Sequence, residues 1–160
     1  MKQEYISIRH AGTRDWPEIK KLFVDCVSST CQDDYTHVQI QAWVSSVNNP
    51  DRWHQKIRSD YFLVAERGPE IAGFASLDDK GFVDLLYVHS NHQYIGVAGK
   101  LIVALENEAA KRGLRVLNAD VSITAKSFFK KRGFVEQGAQ EVKVGEVSLV
   151  NYKMSKQLSI

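Results

Sequence analysis

Three runs of strand-forming residues follow one another between positions 61 and 88, separated only by tight turns. Residues 61–66 are rich in β-favouring side chains, Arg67-Gly68-Pro69-Glu70 is a turn, and 71–77 is the return strand. Asp78-Asp79-Lys80-Gly81 makes the next turn and 82–88 the third strand. Connections this short cannot carry a crossover, so the three strands must run as an antiparallel meander. Everything else in the chain has to pack around that ribbon.

Ahead of the meander, Tyr5, Ile6 and Ile8 read as a short first strand. Thr13 reads as a helix N-cap, with Asp15, Pro17 and Glu18 in the first turn, where carboxylates suit the helix dipole. Ile19, Leu22, Phe23, Cys26 and Val27 recur at helical spacing, and this helix is predicted to end near 28–30. A second helix is predicted from about Thr36, with Val38, Ala42, Trp43 and Val47 on one side. Pro50 and Asp51 start a short helical turn towards Arg58.

Beyond the meander, a helix over 96–112 puts Val97, Leu101, Ala104, Leu105 and Ala109 on one face. Glu108 and Arg112 make a favourable pair four residues apart, and Gly113 fits just past the helix end. Residues 116–121 form a strand, Ser122 opens a helix through Lys131, and Gly133 closes it. A final hairpin of 134–144 and 146–154 turns at Gly145. The predicted order is β-α-α-β-β-β-α-β-α-β-β, an α/β chain whose mixed, largely antiparallel sheet has flanking helices. No repeat, low-complexity tract or linker interrupts it, so residues 1–160 are expected to form a single domain.

Several function classes are disfavoured. With 44% hydrophobic and 25% charged residues, the composition is that of an ordinary globular chain. A net charge of +2, with basic residues scattered except at Lys130, Lys131 and Arg132, makes no case for a nucleic-acid or membrane partner. Cys26 and Cys31 read as thiols of a reducing cytosol. The five histidines contain no HExxH, and no metal is expected. The opening MKQEYISIRH has no long apolar run, and no segment is long and apolar enough to span a bilayer. A cytoplasmic protein without processing is the expectation.

The stretch NHQYIGVAGKLI, residues 91–102, joins the third meander strand to the long helix. It is not a P-loop: its glycines are three apart and Leu101 follows Lys100 where a hydroxyl should ligate magnesium. It is not a Rossmann fingerprint either, because Gly96-x-Ala98 replaces the first glycine pair and no βαβ unit follows. The physical features of an anion site remain. Small residues permit close backbone approach, and free N–H groups at a helix start point into one space. Small residues at a helix start also serve close packing on a sheet, so the loop alone does not choose between nest and turn.

Gln93-x-x-Gly96-x-Ala98 resembles the Q/R-x-x-G-x-G/A motif of the GNAT superfamily of acetyl-CoA-dependent N-acetyltransferases. It stands between Leu85-Leu86-Tyr87-Val88 and the long helix, as it does in that family. The segment Ala125-Lys126-Ser127-Phe128-Phe129-Lys130-Lys131-Arg132-Gly133-Phe134 resembles the family's A-x-x-F-Y-x-x-x-G-F. Ile6-x-Ile8-Arg9 with Asp15 and Leu22 is a third, weaker likeness. Ser122–Ala125, reading Ser-Ile-Thr-Ala, is similar to one bacterial branch of these acetyltransferases. The ordered set spans most of the chain.

The resemblance implies a GNAT-like sheet with acetyl-CoA as co-substrate in a V-shaped opening between the fourth and fifth strands. The backbone of Leu86, Tyr87 and Val88 would bind the thioester carbonyl and pantetheine arm. The Gln93 motif, through amides of Tyr94, Ile95, Gly96, Val97, Ala98 and Gly99, would hold the pyrophosphate. Many relatives have a basic residue where Ile95 stands, which removes one charge contact but no amide. Ser122, Ala125 and Phe128 would flank the coenzyme arm, and Ser122 can cap a helix as well. Phe129 stands where many relatives carry tyrosine as general acid, and a phenyl ring donates no proton. Tyr152, Tyr87 or water would then replace it, or the thiolate would leave unaided.

Chemistry also needs a group to deprotonate the ammonium of the acceptor. Asp84, a charge within an apolar strand, is the expected base, with His89 as the alternative. Tyr35 and Trp43, with Trp53, are candidate walls of the acceptor site. The expected activity is direct acetyl transfer to a primary amine of a small molecule or peptide. A longer-chain acyltransferase and a non-catalytic acyl-CoA-binding module are the alternatives. The chain leaves its oligomeric state open, a homodimer included.

Overall fold

In the computed structural model, residues 5–159 are described. Residues 1–4 of the segment read as lacking a leader lie outside them. The meander forms as expected: β2 (Tyr61–Arg67), β3 (Glu70–Leu77) and β4 (Phe82–Val88) pair antiparallel in sequence order. β1 (Ile6–His10) adds to its outer edge beside β2, and Tyr5 precedes the strand. On the other edge come β5 (Val116–Ser122), β7 (Val147–Gln157) and β6 (Val135–Val144). The sheet thus has seven strands in the order β1-β2-β3-β4-β5-β7-β6, and β4–β5 is its parallel pair.

Three helices cover one face: α1 (Trp16–Thr30), α2 (His37–Val44) and α3 (Pro50–Ser59). Their core gathers Trp16, Ile19, Phe23, Trp53, Phe62 and Phe74. The opposite face carries α4 (Val97–Lys111) and α5 (Lys126–Lys131), whose core includes Leu101, Leu105, Leu117, Phe129, Phe134 and Met154. Gly73 lets α4 approach the sheet. A Cβ there would stand 2.8 Å from the Tyr87 carbonyl and 3.0 Å from Val97 Cγ1.

The structure amends four local readings. Thr13 does not cap α1: it begins a single 3-10 turn, and α1 starts at Trp16. The reason is Asp15, whose carboxylate accepts the Gly12 amide at 2.8 Å and is clamped by Arg9 at 2.9 Å, fixing the chain before the helix. Val38 is 62% exposed, and Ile40 supplies the buried contact of α2. The turn from Pro50 is a ten-residue helix, held at its start by Asn49 accepting from the Arg52 amide. Ser122 ends β5, and its Oγ accepts from the Ala125 amide at 3.1 Å, bracing the turn before α5 instead of capping the helix.

Candidate active site

β4 and β5 run side by side for only two residue pairs, Phe82 with Asn118 and Val83 with Ala119. The next residue, Asp84, is a bulge. Leu85 pairs with Ser76 and Val83 with Leu77, which leaves Asp84 unmatched on β3. An extra residue bends and twists its strand, and from here β4 and β5 have no further pairing. The V-shaped gap opens towards the C-terminal ends of two parallel strands, the region where open α/β sheets bind ligands.

The gap leads into a cavity of about 670 Å³. Val83–Tyr87 and Asp120–Ser122 form its sheet side, with Ala125 and Phe129 at the start of α5 and within it. Phe23, Tyr35, Trp43 and Trp53 make an aromatic wall from the helical face. Each ring is placed by its neighbours: Tyr35 meets Trp43 at 5.3 Å, and Phe23 meets Trp53 at 5.1 Å and Tyr87 at 5.0 Å. The Tyr35 hydroxyl donates to the Val150 carbonyl at 2.7 Å and accepts the Ile123 amide at 3.0 Å. Its hydroxyl ties β7 to the turn after β5, and its ring lines the cavity. The tip of the β6–β7 hairpin closes the far side, anchored by Gln39 donating to the Ser148 carbonyl at 3.0 Å.

Asp84 lies on the cavity wall, ion-paired with Lys56 of α3. Lys56 also meets Asp60 at 3.3 Å, so one ammonium serves two carboxylates. Burial pushes the Tyr87 phenol well above its ordinary value, so it holds its proton throughout the physiological range. His89, the alternative base, is not on the cavity wall. Its Nδ1 accepts the Asn91 amide at 3.1 Å, and Nε2 is 3.6 Å from Asp25.

The loop between β4 and α4 lies beyond the cavity wall, past the end of β4. Gly96 takes φ 91° and Tyr94 φ 63°, two left-handed residues that turn the chain into α4. The first bond of the helix runs from the Lys100 amide to the Gly96 carbonyl at 3.0 Å. The amides of Val97, Ala98 and Gly99 therefore have no carbonyl within the helix and face forward. Gln93 braces the loop by donating to the Val88 carbonyl at 2.7 Å. The Tyr94 side chain is fully exposed and Ile95 partly so. Lys100 reaches away, to the Ile6 carbonyl at 3.3 Å.

Sequence reasoning assigned no role to Arg132. Its Nη2 donates to the Gly99 carbonyl at 3.0 Å, and a Cβ at Gly99 would lie 2.9 Å from that nitrogen. The missing side chain of Gly99 is the notch that seats the guanidinium beside the first turn of α4. The signals were a glycine inside a helix and the basic cluster at 130–132. Phe128 is absent from the cavity wall; its ring lies edge-on to Phe129 and 6.0 Å from the Arg132 guanidinium carbon. Phe129 is buried, packed against Phe134 at 5.0 Å, and does reach the cavity. Tyr152 lies under the Lys126 ammonium at 3.8 Å and is not on the wall. Among the described residues, no group of three or more His, Cys, Asp or Glu gathers that could hold a metal, and no helix is long and apolar enough to cross a membrane.

A mostly antiparallel sheet that parts at its parallel pair, with a helix N-terminus at the mouth, is the frame of an acyl-CoA-dependent acetyltransferase. The family model described as acetyltransferase (GNAT) domain matches residues 31–156, and the chain belongs to that family. It is 29% identical over 149 residues to the uncharacterized N-acetyltransferase YafP of Escherichia coli K12, covering 93% of this chain and 94% of that one. A GCN5-related N-acetyltransferase structure from Rhodopseudomonas palustris superposes with a TM-score of 0.94, 31% identity and 99% coverage of both chains. The PaiA N-acetyltransferase of Thermoplasma acidophilum, solved in complex with coenzyme A, shares the fold at a TM-score of 0.79. It is 19% identical, covering 96% of this chain and 99% of that one.

Proposed function

We propose that this chain, as one domain over residues 1–160, is a cytoplasmic acetyl-CoA-dependent N-acetyltransferase. It moves the acetyl group directly to a primary amine of a small molecule or peptide, with no metal and no covalent enzyme intermediate. The observation that carries this reading is the parting of β4 from β5 at the Asp84 bulge, which opens backbone groups and an aromatic-walled cavity to one another.

In this reading the co-substrate supplies an activated acetyl thioester. Backbone groups of Leu86 and Tyr87, unpaired towards β5, hold its carbonyl and the start of the pantetheine arm. Ser122 and Ala125 flank the arm from the opposite side. The amides of Val97, Ala98 and Gly99 take the pyrophosphate, and Arg132 supplies the positive charge that Ile95 lacks. Asp84, oriented by Lys56, accepts a proton from the acceptor ammonium. The freed nitrogen lone pair forms the N–C bond as the C–S bond breaks. Tyr87, protonated and on the cavity wall, hydrogen-bonds the leaving sulfur in place of the tyrosine that Phe129 replaces. The second proton of the attacking nitrogen passes to that sulfur, so amide and thiol leave neutral and Asp84 returns its proton to water.

Thiol release from acetyl-CoA with a panel of amines, amino acids, polyamines and peptides tests this. Saturable coenzyme binding without thiol release from any of them is the outcome expected of a non-catalytic acyl-CoA-binding module. Faster release from longer acyl thioesters is the mark of a different acyltransferase. Asp84→Asn is expected to lower kcat/KM by about 10²-fold with coenzyme affinity retained. Unchanged turnover in that variant removes Asp84 as the base.

A further inference from the structure

We propose that the acceptor is an amine that also carries an anionic group, on an aromatic or apolar body. This deepens the acetyltransferase reading above and rests on it. The argument concerns the part of the cavity that the coenzyme strands do not form. Its middle is apolar and aromatic: Phe23, Tyr35, Trp43, Trp53 and Leu149. Its two lips are the segment joining α2 to α3 with the first turn of α3, which contribute Ser46, Asn49 and Arg52, and the β6–β7 hairpin tip, which contributes Lys143.

Charge is unevenly available on these walls. Three cations, Arg52, Lys56 and Lys143, and two carboxylates, Asp84 and Asp120, line the whole cavity. Lys56 is engaged with Asp84 and Asp60. Asp120 is on β5, directly opposite Lys153 in the β5–β7 ladder, where opposite charges attract across the strands. Among the described residues, neither the Arg52 guanidinium nor the Lys143 ammonium has a carboxylate partner. The lips therefore present two unspent cations from opposite sides, and the one acid near the reacting centre already has its counter-ion.

A polycation entering this mouth meets like charge at both lips, from Arg52 and Lys143. An amine with a carboxylate or phosphate at its other end places that anion between Arg52 and Lys143. Its apolar body then lies on the aromatic wall and its nitrogen points to Asp84. Guanidinium geometry suits both anions. Because both cations lie at an exposed mouth, salt should weaken the preference.

Matched pairs test this: phenylalanine against phenethylamine, O-phosphoethanolamine against ethanolamine, with spermidine as the polycation. The coenzyme-A-saturated protein is titrated with each by calorimetry, and kcat/KM is measured in parallel with acetyl-CoA. The anionic member of at least one pair is expected to bind about tenfold tighter than its partner, since one charge-assisted contact contributes roughly that factor. Spermidine should bind worse than the anionic member. Arg52→Gln with Lys143→Gln should collapse the ratio towards unity while coenzyme affinity and melting temperature hold. Which pair shows the ratio tells carboxylate from phosphate. Equal or reversed binding within both pairs, no binding of any member, or a ratio untouched in the double variant overturns the inference. Absence of thiol release alongside selective binding instead defeats the catalytic reading and reduces this one to the cavity's ligand preference.

Discussion

Gly96 and Lys100 stand four residues apart and illustrate how differently a loop can use a residue. Gly96 sits at φ 91° with nothing within 4 Å of where a Cβ would go, so an added side chain meets no neighbour but does meet backbone strain. Lys100 is turned to Ile6 on β1, away from the forward-facing amides. Gly96→Ala is expected to weaken coenzyme A binding by about tenfold, the equivalent of ~1–2 kcal/mol of left-handed strain. Lys100→Ala should change it less than about twofold, within the scatter of surface substitutions. Equal losses, by calorimetry, would mean that charge and not the amide nest holds the phosphates. Asp15 makes a separate residue-scale case. Hydrogen bonds from Arg9 hold its pKa below the ordinary carboxylate value despite burial. A group with a depressed folded pKa stabilises the fold above its unfolded value, near 4, and loses that contribution as the pH falls through the lower folded value. Asp15→Asn should cost about 1–3 kcal/mol at neutral pH. The gap in denaturant midpoint between variant and parent should close as the pH is lowered from about 4 towards 2.

At the scale of elements, the meander, the apolar face of α4 and the loop after β4 were all legible, because each is written locally in turn residues and periodicity. Val97, Leu101, Leu105 and Ala109 are buried as their spacing predicts. The helix-start readings at Thr13 and Ser122 went astray because a capping side chain is indistinguishable in sequence from one that another group has claimed or that braces a preceding turn. Arg9 claims Asp15 from β1, six residues earlier. Long-range pairings have no local signature at all: Lys56 with Asp84, and Arg132 in the Gly99 notch. That notch joins α5 to α4 and brings a cation to the first turn of α4, the helix proposed to meet the coenzyme. Arg132→Gln should raise the dissociation constant of coenzyme A by about tenfold, as expected for loss of one charge-assisted contact. The affinity of pantetheine, which has no phosphates, should stay the same. A parallel loss for pantetheine would show that Arg132 is only a strap between helices.

For the molecule as a whole, the α/β class and the order of elements followed from the chain, and so did three aromatics of the cavity, Tyr35, Trp43 and Trp53, whereas its charged lips did not. Its walls come from α1, α2, α3, β4 and the hairpin tip, which meet only after folding. The sheet also divides two apolar cores that share few tasks, one under α1–α3 and one under α4–α5. Most of the proposed acceptor wall hangs on the first and the proposed phosphate nest on the second. Replacing residues 45–55 with the corresponding segment of the Rhodopseudomonas palustris relative should therefore change acceptor preference in thiol-release assays. Coenzyme affinity should stay within about twofold, as for sites that do not touch. The bulkhead between the cores has an evolutionary meaning. Descendants of such a chain can diverge in what they modify by editing one stretch ahead of the meander, while what they draw the acetyl group from stays inherited.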